Sequence, residues 1–329
     1  MHNWIVSQLT PYLRSMFKKI LLLVQTTLLV YHINAQTWTH EQLEVKTQST
    51  LNRVMNSDVL FTDRWIELPQ AKFWRQIMTL SPDSCIINVA RNRMILETTS
   101  YTSWRGKTES EKTAYKKMLR AKYGLDSLEE LYVTSGKSDF YRFHEVFPSL
   151  GKGIAVFESN LVDPWYAQAI LLIESPAQLR KSVSGAYGPF QLMSSVAQRY
   201  GLTVNSQIDE RADFSRSAFA SSQLIKNSCI PSARSILNAH GLNYNESDLW
   251  FRLLVMHVYH AGAGNVSAVV NKIKPTIGSM DLIKAMWITS AAGFGNNSQN
   301  YSQLAIAAQW LLHDYVYSQC DELHPCSGK

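Results

Sequence analysis

No run of five or more lysines or arginines occurs anywhere in the 329 residues, although the formal net charge is +6. Residues 1–35 hold three of the basic side chains (Arg14, Lys18, Lys19) and no acidic one, which leaves the remainder at only +3. A surface that tracks nucleic-acid phosphates needs far denser positive charge, so nucleic acid is excluded as a partner. Long apolar runs are also missing. The most apolar stretch, Ile20 to Val30, falls short of the about 20 residues that span a bilayer. Cysteine is sparse, with four residues (Cys85, Cys229, Cys320, Cys326), and their spacing is unlike that of a zinc site. There is no internal repeat, no low-complexity linker, and no serine or cysteine nucleophile with a recognisable partner histidine.

What is present begins with the pattern of an export signal. Met16-Phe-Lys-Lys is followed by the apolar stretch and by Tyr-His-Ile-Asn-Ala35, a small residue suited to cleavage before Gln36. Residues 1–35 are read as a signal peptide, with Met16 as an alternative start and an uncleaved anchor as the competing reading. Export implies a periplasmic or secreted protein, without an integral span once the signal is removed, in a compartment where disulfides form. Four cysteines allow three full pairings, of which Cys320 with Cys326 would clip the tail at 320–329; free or partly paired thiols are the other reading.

A composition of 46% hydrophobic residues is enough for a substantial core. Thr39-His-Glu-Gln42 has the capping-box pattern, and the spacing of Leu43, Leu51, Val54 and Met55 then predicts a first helix. A second is expected over Ala71 to Leu80. Cys85 to Glu97 suits strand or helix. Glu111 to Tyr123 reads as a basic amphipathic helix stopped by Gly124. Gly136-Lys137-Ser138 is like the tail of a phosphate-binding loop, but Leu131 stands where that motif needs glycine. From Pro148 the pattern is helical throughout: Pro148–Ser159, Pro164–Ser175, Ser195–Tyr200, Phe214–Asn227, Ser247–Tyr259, a helix capped by Ser279, and Ser298–Tyr317. The expected fold is therefore all-α, with a mainly helical region of unknown role at 36–145 ahead of a multi-helix domain at 146–319.

One acidic residue stands apart. The helix opened by Asp163-Pro164 carries Ala167, Ile170 and Leu171 on one stripe and ends in Glu174-Ser175-Pro176, so Glu174 falls in its last turn on the apolar face. Desolvation and the negative end of the helix dipole both raise a carboxyl pKa, as a general acid working near neutral pH requires. A buried glutamate held by an arginine is the competing reading. His257 and His260 lie three apart but lack a third ligand, so no metal and no cofactor is expected.

Four stretches stand in order: Ile173-Glu-Ser175, Ser184-Gly-Ala-Tyr-Gly-Pro-Phe-Gln-Leu-Met193, Ile208-Asp-Glu-Arg-Ala-Asp213 and Val258-Tyr-His-Ala-Gly-Ala-Gly-Asn-Val266. From about Phe147 to Trp310 this series resembles the SLT domain of the lytic transglycosylase family, in particular its branch of membrane-bound lytic murein transglycosylase D, whose fold is like that of goose-type lysozyme. The resemblance implies a lysozyme-like catalytic domain with Glu174 as sole catalytic carboxylate. Gln191, Met193 and Tyr259 would line the substrate groove, Ser182 would stand near the glutamate, Asp209 and Arg211 would form an internal structural pair, and Tyr301 would match a late aromatic facing the site. His260 stands where the family commonly has asparagine, and the loop between Glu174 and Ser182 is one residue shorter. The implied partners are peptidoglycan glycan strands and a cell-envelope assembly, and the implied reaction is cleavage of the bond between N-acetylmuramic acid and N-acetylglucosamine to give a 1,6-anhydro end. A hydrolytic muramidase and a wall-binding protein without turnover are the alternatives.

Overall fold

A computed structural model of the protein describes residues 38–46, 51–174 and 179–319. The signal at 1–35, the Cys320–Cys326 question and the Ser175-Pro176 helix stop lie outside the described residues. The described residues from Leu43 on form one compact unit.

The all-α expectation is overturned. The protein is a mixed α/β structure in which two small antiparallel sheets accompany the helices. β1 (Gln42–Lys46) and β2 (Leu51–Met55) occupy the stretch where capping pattern and spacing predicted the first helix. Only a 3-10 turn, Thr39–Glu41, forms at the capping box. Leu43 and Val45 are buried while Glu44 and Lys46 are exposed, a period of two that seats one face of β1 on the core. α1 (Val59–Thr62) and α2 (Pro69–Thr79) follow, the latter matching the second expected helix.

The second sheet resolves the ambiguous stretch. β3 (Ser84–Val89) is its central strand, flanked by β4 (Ile95–Ser100) and, beyond α3 (Tyr101–Gly106) and α4 (Glu109–Lys122), by β5 (Leu131–Ser135). Ile86 faces Thr98 on one side and Thr134 on the other, and a bulge falls between Ile87 and Asn88. From Cys85 to Val89 every residue is buried, because both faces of the sheet are covered. Ile86 joins the main core, while Cys85, Ile87 and Val89 join a smaller one with Trp104, Leu119 and Leu131. A strand covered on both sides reads as a continuous apolar run, which is why its state was not legible. Cys85 and Cys229 are buried thiols, and burial pushes Cys229 up to about 12.

From residue 143 on the expected helices form, with α5 spanning Phe143–Ser159 and holding Pro148 inside it rather than at its start. α6 (Trp165–Ile173) is buried on every side, not only along the Ala167–Ile170–Leu171 stripe, since α5 and the last helix flank it. Asp163 fixes its start twice over: Oδ1 accepts from the Trp165 N–H at 2.9 Å and Oδ2 from Arg252 Nε at 2.7 Å. On α6, Gln168 Oε1 accepts from the Met55 N–H at 2.8 Å, and its Nε2 donates to the Met55 carbonyl at 3.0 Å and to Gln309 Oε1 at 2.7 Å. That buried amide ties β2 to the helical core.

α7 (Ser194–Arg199) is followed by α8 (Phe214–Leu224), which runs through a π-helical turn at Ile225–Cys229 into α9 (Ile230–Ala239). Pro231 has no N–H to give to the preceding turn, and the widened turn absorbs that loss. α10 (Leu249–Ala261) and α11 (Ala263–Ile273) come next. α12 (Met280–Ile288) starts at Ser279, whose hydroxyl accepts from the Asp281 N–H at 3.2 Å, and α13 (Asn296–Gln319) packs against α2, α6 and α10. Among the described residues no helix is long and apolar enough to cross a membrane.

Candidate active site

Glu174 sits at the C-cap of α6, its N–H still bonded to the Ile170 carbonyl at 2.9 Å. It is only partly buried, so one side of the residue reaches solvent. Apolar surroundings push its carboxyl up to about 7, and a hydrogen bond from Tyr301 pulls the other way. The Tyr301 hydroxyl donates to Oε1 at 2.5 Å. No cation pairs with Glu174 among the described residues, and Oε2 has no hydrogen-bond partner there. Among the described residues, then, no arginine holds Glu174.

Tyr301 is placed by α13 and is itself buried, which with the nearby Glu174 charge pushes its phenol well above the usual range. The His260 ring, at the end of α10, stacks on it with centroids 4.3 Å apart and planes 19° from parallel. His260 is exposed on its outer side, yet crowding by its neighbours lowers its pKa. The pair forms an aromatic step beside the acid, one face of it open. Replacing Tyr301 by Phe is expected to move the Glu174 titration upward from about 7, because the bond it loses favours the charged form; carboxyl carbon NMR across pH 5–9 measures this, and a downward or absent shift would contradict it.

The stretch from Leu179 to Met193 forms a flap held from beneath. Ser182 closes the flap's first turn: its Oγ accepts from the Ala186 N–H at 2.9 Å and its own N–H donates to the Ala186 carbonyl at 2.8 Å. Gln191, at φ +46°, donates from Nε2 to the carbonyls of Arg180 at 2.7 Å and Gly188 at 3.0 Å. Its amide nitrogen is thus spent on shaping the flap. Met193 stands exposed at the head of α7, 41% of its surface in solvent.

Arg211 is the flap's anchor, only 2% exposed. Nη1 donates to the carbonyls of Gly185 and Leu192, each at 2.9 Å, while Nε and Nη2 grip Asp209 at 2.8 and 2.6 Å. The carboxylate neutralises the buried guanidinium, and two flap carbonyls use both Nη1 donors. Tyr259 also serves the flap, donating to the Phe190 carbonyl at 2.6 Å, with Ser221 Oγ 3.2 Å from its hydroxyl. Phe190 is buried and stacks on Phe157.

Of the residues named from sequence, Glu174, His260 and Tyr301 come together, and Ser182, Gln191, Tyr259 and Met193 build or border the flap beside them. Sequence reading missed Tyr141. Burial, and after it the Glu174 charge, push its phenol up, so the ring lies within electrostatic reach of the acid. It belongs to the Phe140-Tyr141-Arg142-Phe143 cluster just ahead of α5, and nothing local in the sequence distinguishes its ring from core packing. The acids of the 208–213 stretch are committed: Asp209 to Arg211, Glu210 to Arg216 and the Thr203 N–H, and Asp213 to the start of α8. Among the described residues no group of three or more His, Cys, Asp or Glu could hold a metal ion. His257 is buried against Phe294, and burial lowers it to about 3, so it stays neutral.

Such a site can deliver one proton and take one back, beside the His260–Tyr301 aromatic step. The chain matches no protein-family model and no curated protein.

Proposed function

We propose that the protein is a peptidoglycan lytic transglycosylase, acting in the periplasm or after secretion. The observation that carries this reading is Glu174: a carboxyl pushed up to about 7, only partly buried, with no cation paired to it among the described residues, while Asp209 and Glu210 are paired to arginines. A glycosidase that activates water or forms a covalent intermediate uses two carboxylates. One acid suffices when the substrate brings its own nucleophile.

In this reading Glu174 protonates the oxygen bridging N-acetylmuramic acid and N-acetylglucosamine, and the C1–O bond breaks. The resulting carboxylate then takes the proton of the muramoyl 6-hydroxyl as that oxygen bonds to C1. The glycan gains a 1,6-anhydro end and no water is consumed. Tyr301 holds the carboxylate in place through both steps, and its hydrogen bond favours the charged form left after the first. The His260–Tyr301 step offers an aromatic face to a sugar ring.

Digestion of purified sacculi and weighing of the muropeptides tests this. Products lighter by one water than reducing-end muropeptides are expected. Reducing ends alone would mean a hydrolytic muramidase, and binding without products would mean a wall-binding protein.

A further inference from the structure

The basic helix α4 and the strand beside it take no part in the Glu174 site. From Lys112 to Lys122 the chain carries five basic side chains and no acidic one, more than the whole +3 found beyond residue 35. Lys112, Lys116 and Arg120 fall one turn apart on one face of α4 and are half-buried there, whereas Lys117 and Lys122 are exposed. With Trp104 and Thr113 they wall a groove of about 420 Å³ whose other side is Leu131 to Val133 of β5. Glu109 pairs with Lys112 at 2.8 Å, and Arg120 Nε donates to the Glu129 carbonyl at 2.7 Å, which fixes the helix alongside the start of the strand. Lys116 and the Nη groups of Arg120 have no hydrogen bond or ion pair among the described residues.

The strand side of the groove is an unpaired edge. In the order β4–β3–β5, nothing among the described residues pairs with the far side of β5. An antiparallel strand turns its backbone groups alternately toward its partner and away from it. The Ala90 N–H donates to the Glu130 carbonyl at 2.8 Å and the Gly136 N–H to the Ser84 carbonyl at 2.9 Å, so Tyr132 and Thr134 between them face β3. Leu131 and Val133 therefore direct their N–H and C=O groups outward. Their side chains lie on the sheet face that α4 covers, against the small core of Leu119 and Trp104. Glu130 shares the opposite face with Tyr132.

We infer that this groove is a docking site for an extended acidic segment of a partner protein, which adds to β5 as a fourth strand. A strand laid on this edge exchanges N–H···O=C bonds with Leu131 and Val133, and its side chains alternate as theirs do. Every second side chain then points to the α4 face, where a carboxylate meets Lys116 or Arg120. The partner chemistry so defined is a segment with acidic residues at alternate positions and no proline among them. A second copy of this chain does not fit: antiparallel pairing of two copies across β5 brings both α4 helices to the same face, basic side against basic side. An anionic membrane would use the exposed Lys117 and Lys122 as readily as the groove and would leave the strand edge bare. The site is independent of the Glu174 chemistry.

The test follows a fluorescein-labelled peptide of alternating glutamate and threonine by anisotropy, together with amide hydrogen exchange of the full chain with and without it. Saturable binding that weakens as salt rises is expected. The Leu131 and Val133 amides should gain protection, while those of Tyr132 and Thr134, already bonded to β3, should change little. The same peptide N-methylated at its glutamates keeps every charge but loses the donors that face β5, and it is expected not to saturate. Lys116→Glu is expected to weaken binding at least about tenfold, and Lys117→Glu, outside the groove, by less than about threefold. Val133→Pro removes an outward donor without taking a bond from β3 and is expected to cost at least about tenfold; should it fold poorly, amide protection in the parent chain and Lys116→Glu decide. Equal binding of the N-methylated peptide, protection absent from Leu131 and Val133, equal losses at Lys116 and Lys117, or no saturation overturns the site. Phosphatidylglycerol vesicles that displace the peptide, with both lysine variants equally impaired, would replace it by a membrane-facing surface.

Discussion

Glu174→Gln is expected to lower turnover of peptidoglycan at least about a hundredfold, and at the same time to make the protein more stable above pH 7. The first half follows from the chemistry: an amide keeps the shape and can still accept the Tyr301 hydrogen bond, but it has no proton to give the bridging oxygen, and positioned acids contribute about 100- to 10,000-fold. Binding to sacculi should survive. The second half follows from linkage. The Glu174 pKa rises from 4.5 to about 7 on folding. Below pH 4.5 both states hold the proton and nothing is lost. Between the two values the unfolded chain releases it while the folded one retains it, so stability falls as pH rises, by about 3 kcal/mol in all. Glutamine does not titrate and escapes that loss. Urea denaturation of both proteins at pH 4 and pH 8 reads it directly: the variant should gain at pH 8 and match the parent at pH 4. Equal differences at the two pH values would show that the carboxyl is not desolvated.

The second large effect is expected at Gly188. Its φ is +86°, and a Cβ added there would lie 1.8 Å from the Arg211 carbonyl oxygen and 2.7 Å from its carbonyl carbon. Backbone cannot rotate away as a side chain can, so Gly188→Ala must displace either the flap or the segment that carries Arg211. We expect a loss of about 3 kcal/mol or more, made up of left-handed strain and overlap, together with loss of cleavage as Gln191 and the Arg211 grip shift. Gly185→Ala is the control. Gly185 has nearly the same φ, +90°, but nothing within 4 Å of the added carbon. That variant should cost only the strain, about 1 kcal/mol. Similar melting temperatures for the two would mean that Gly188 is held by its torsion and not by the contact with Arg211.

Both effects arise where chain segments far apart in sequence meet, and that division runs through the whole molecule. The residues themselves pointed to most helices from Pro148 onward, though not to α9 or α11, because helical spacing, Ser279 as a cap and Gly201 as a stop act within a few positions. They also singled out Glu174, since one acid at the end of an apolar helix is visible without knowing what surrounds it. Tertiary structure alone decided that 42–46, 51–55 and 131–135 are strands: Leu131–Ser135 has no pattern of its own and pairs with β3 across more than 40 residues. It decided, too, that Tyr141 is buried within electrostatic reach of the acid and that the Tyr259 hydroxyl and the Gln191 amide nitrogen are spent on the flap. Spacing along a helix is a local property, whereas strand pairing, desolvation and the partner of a buried charge depend on what the rest of the chain brings alongside.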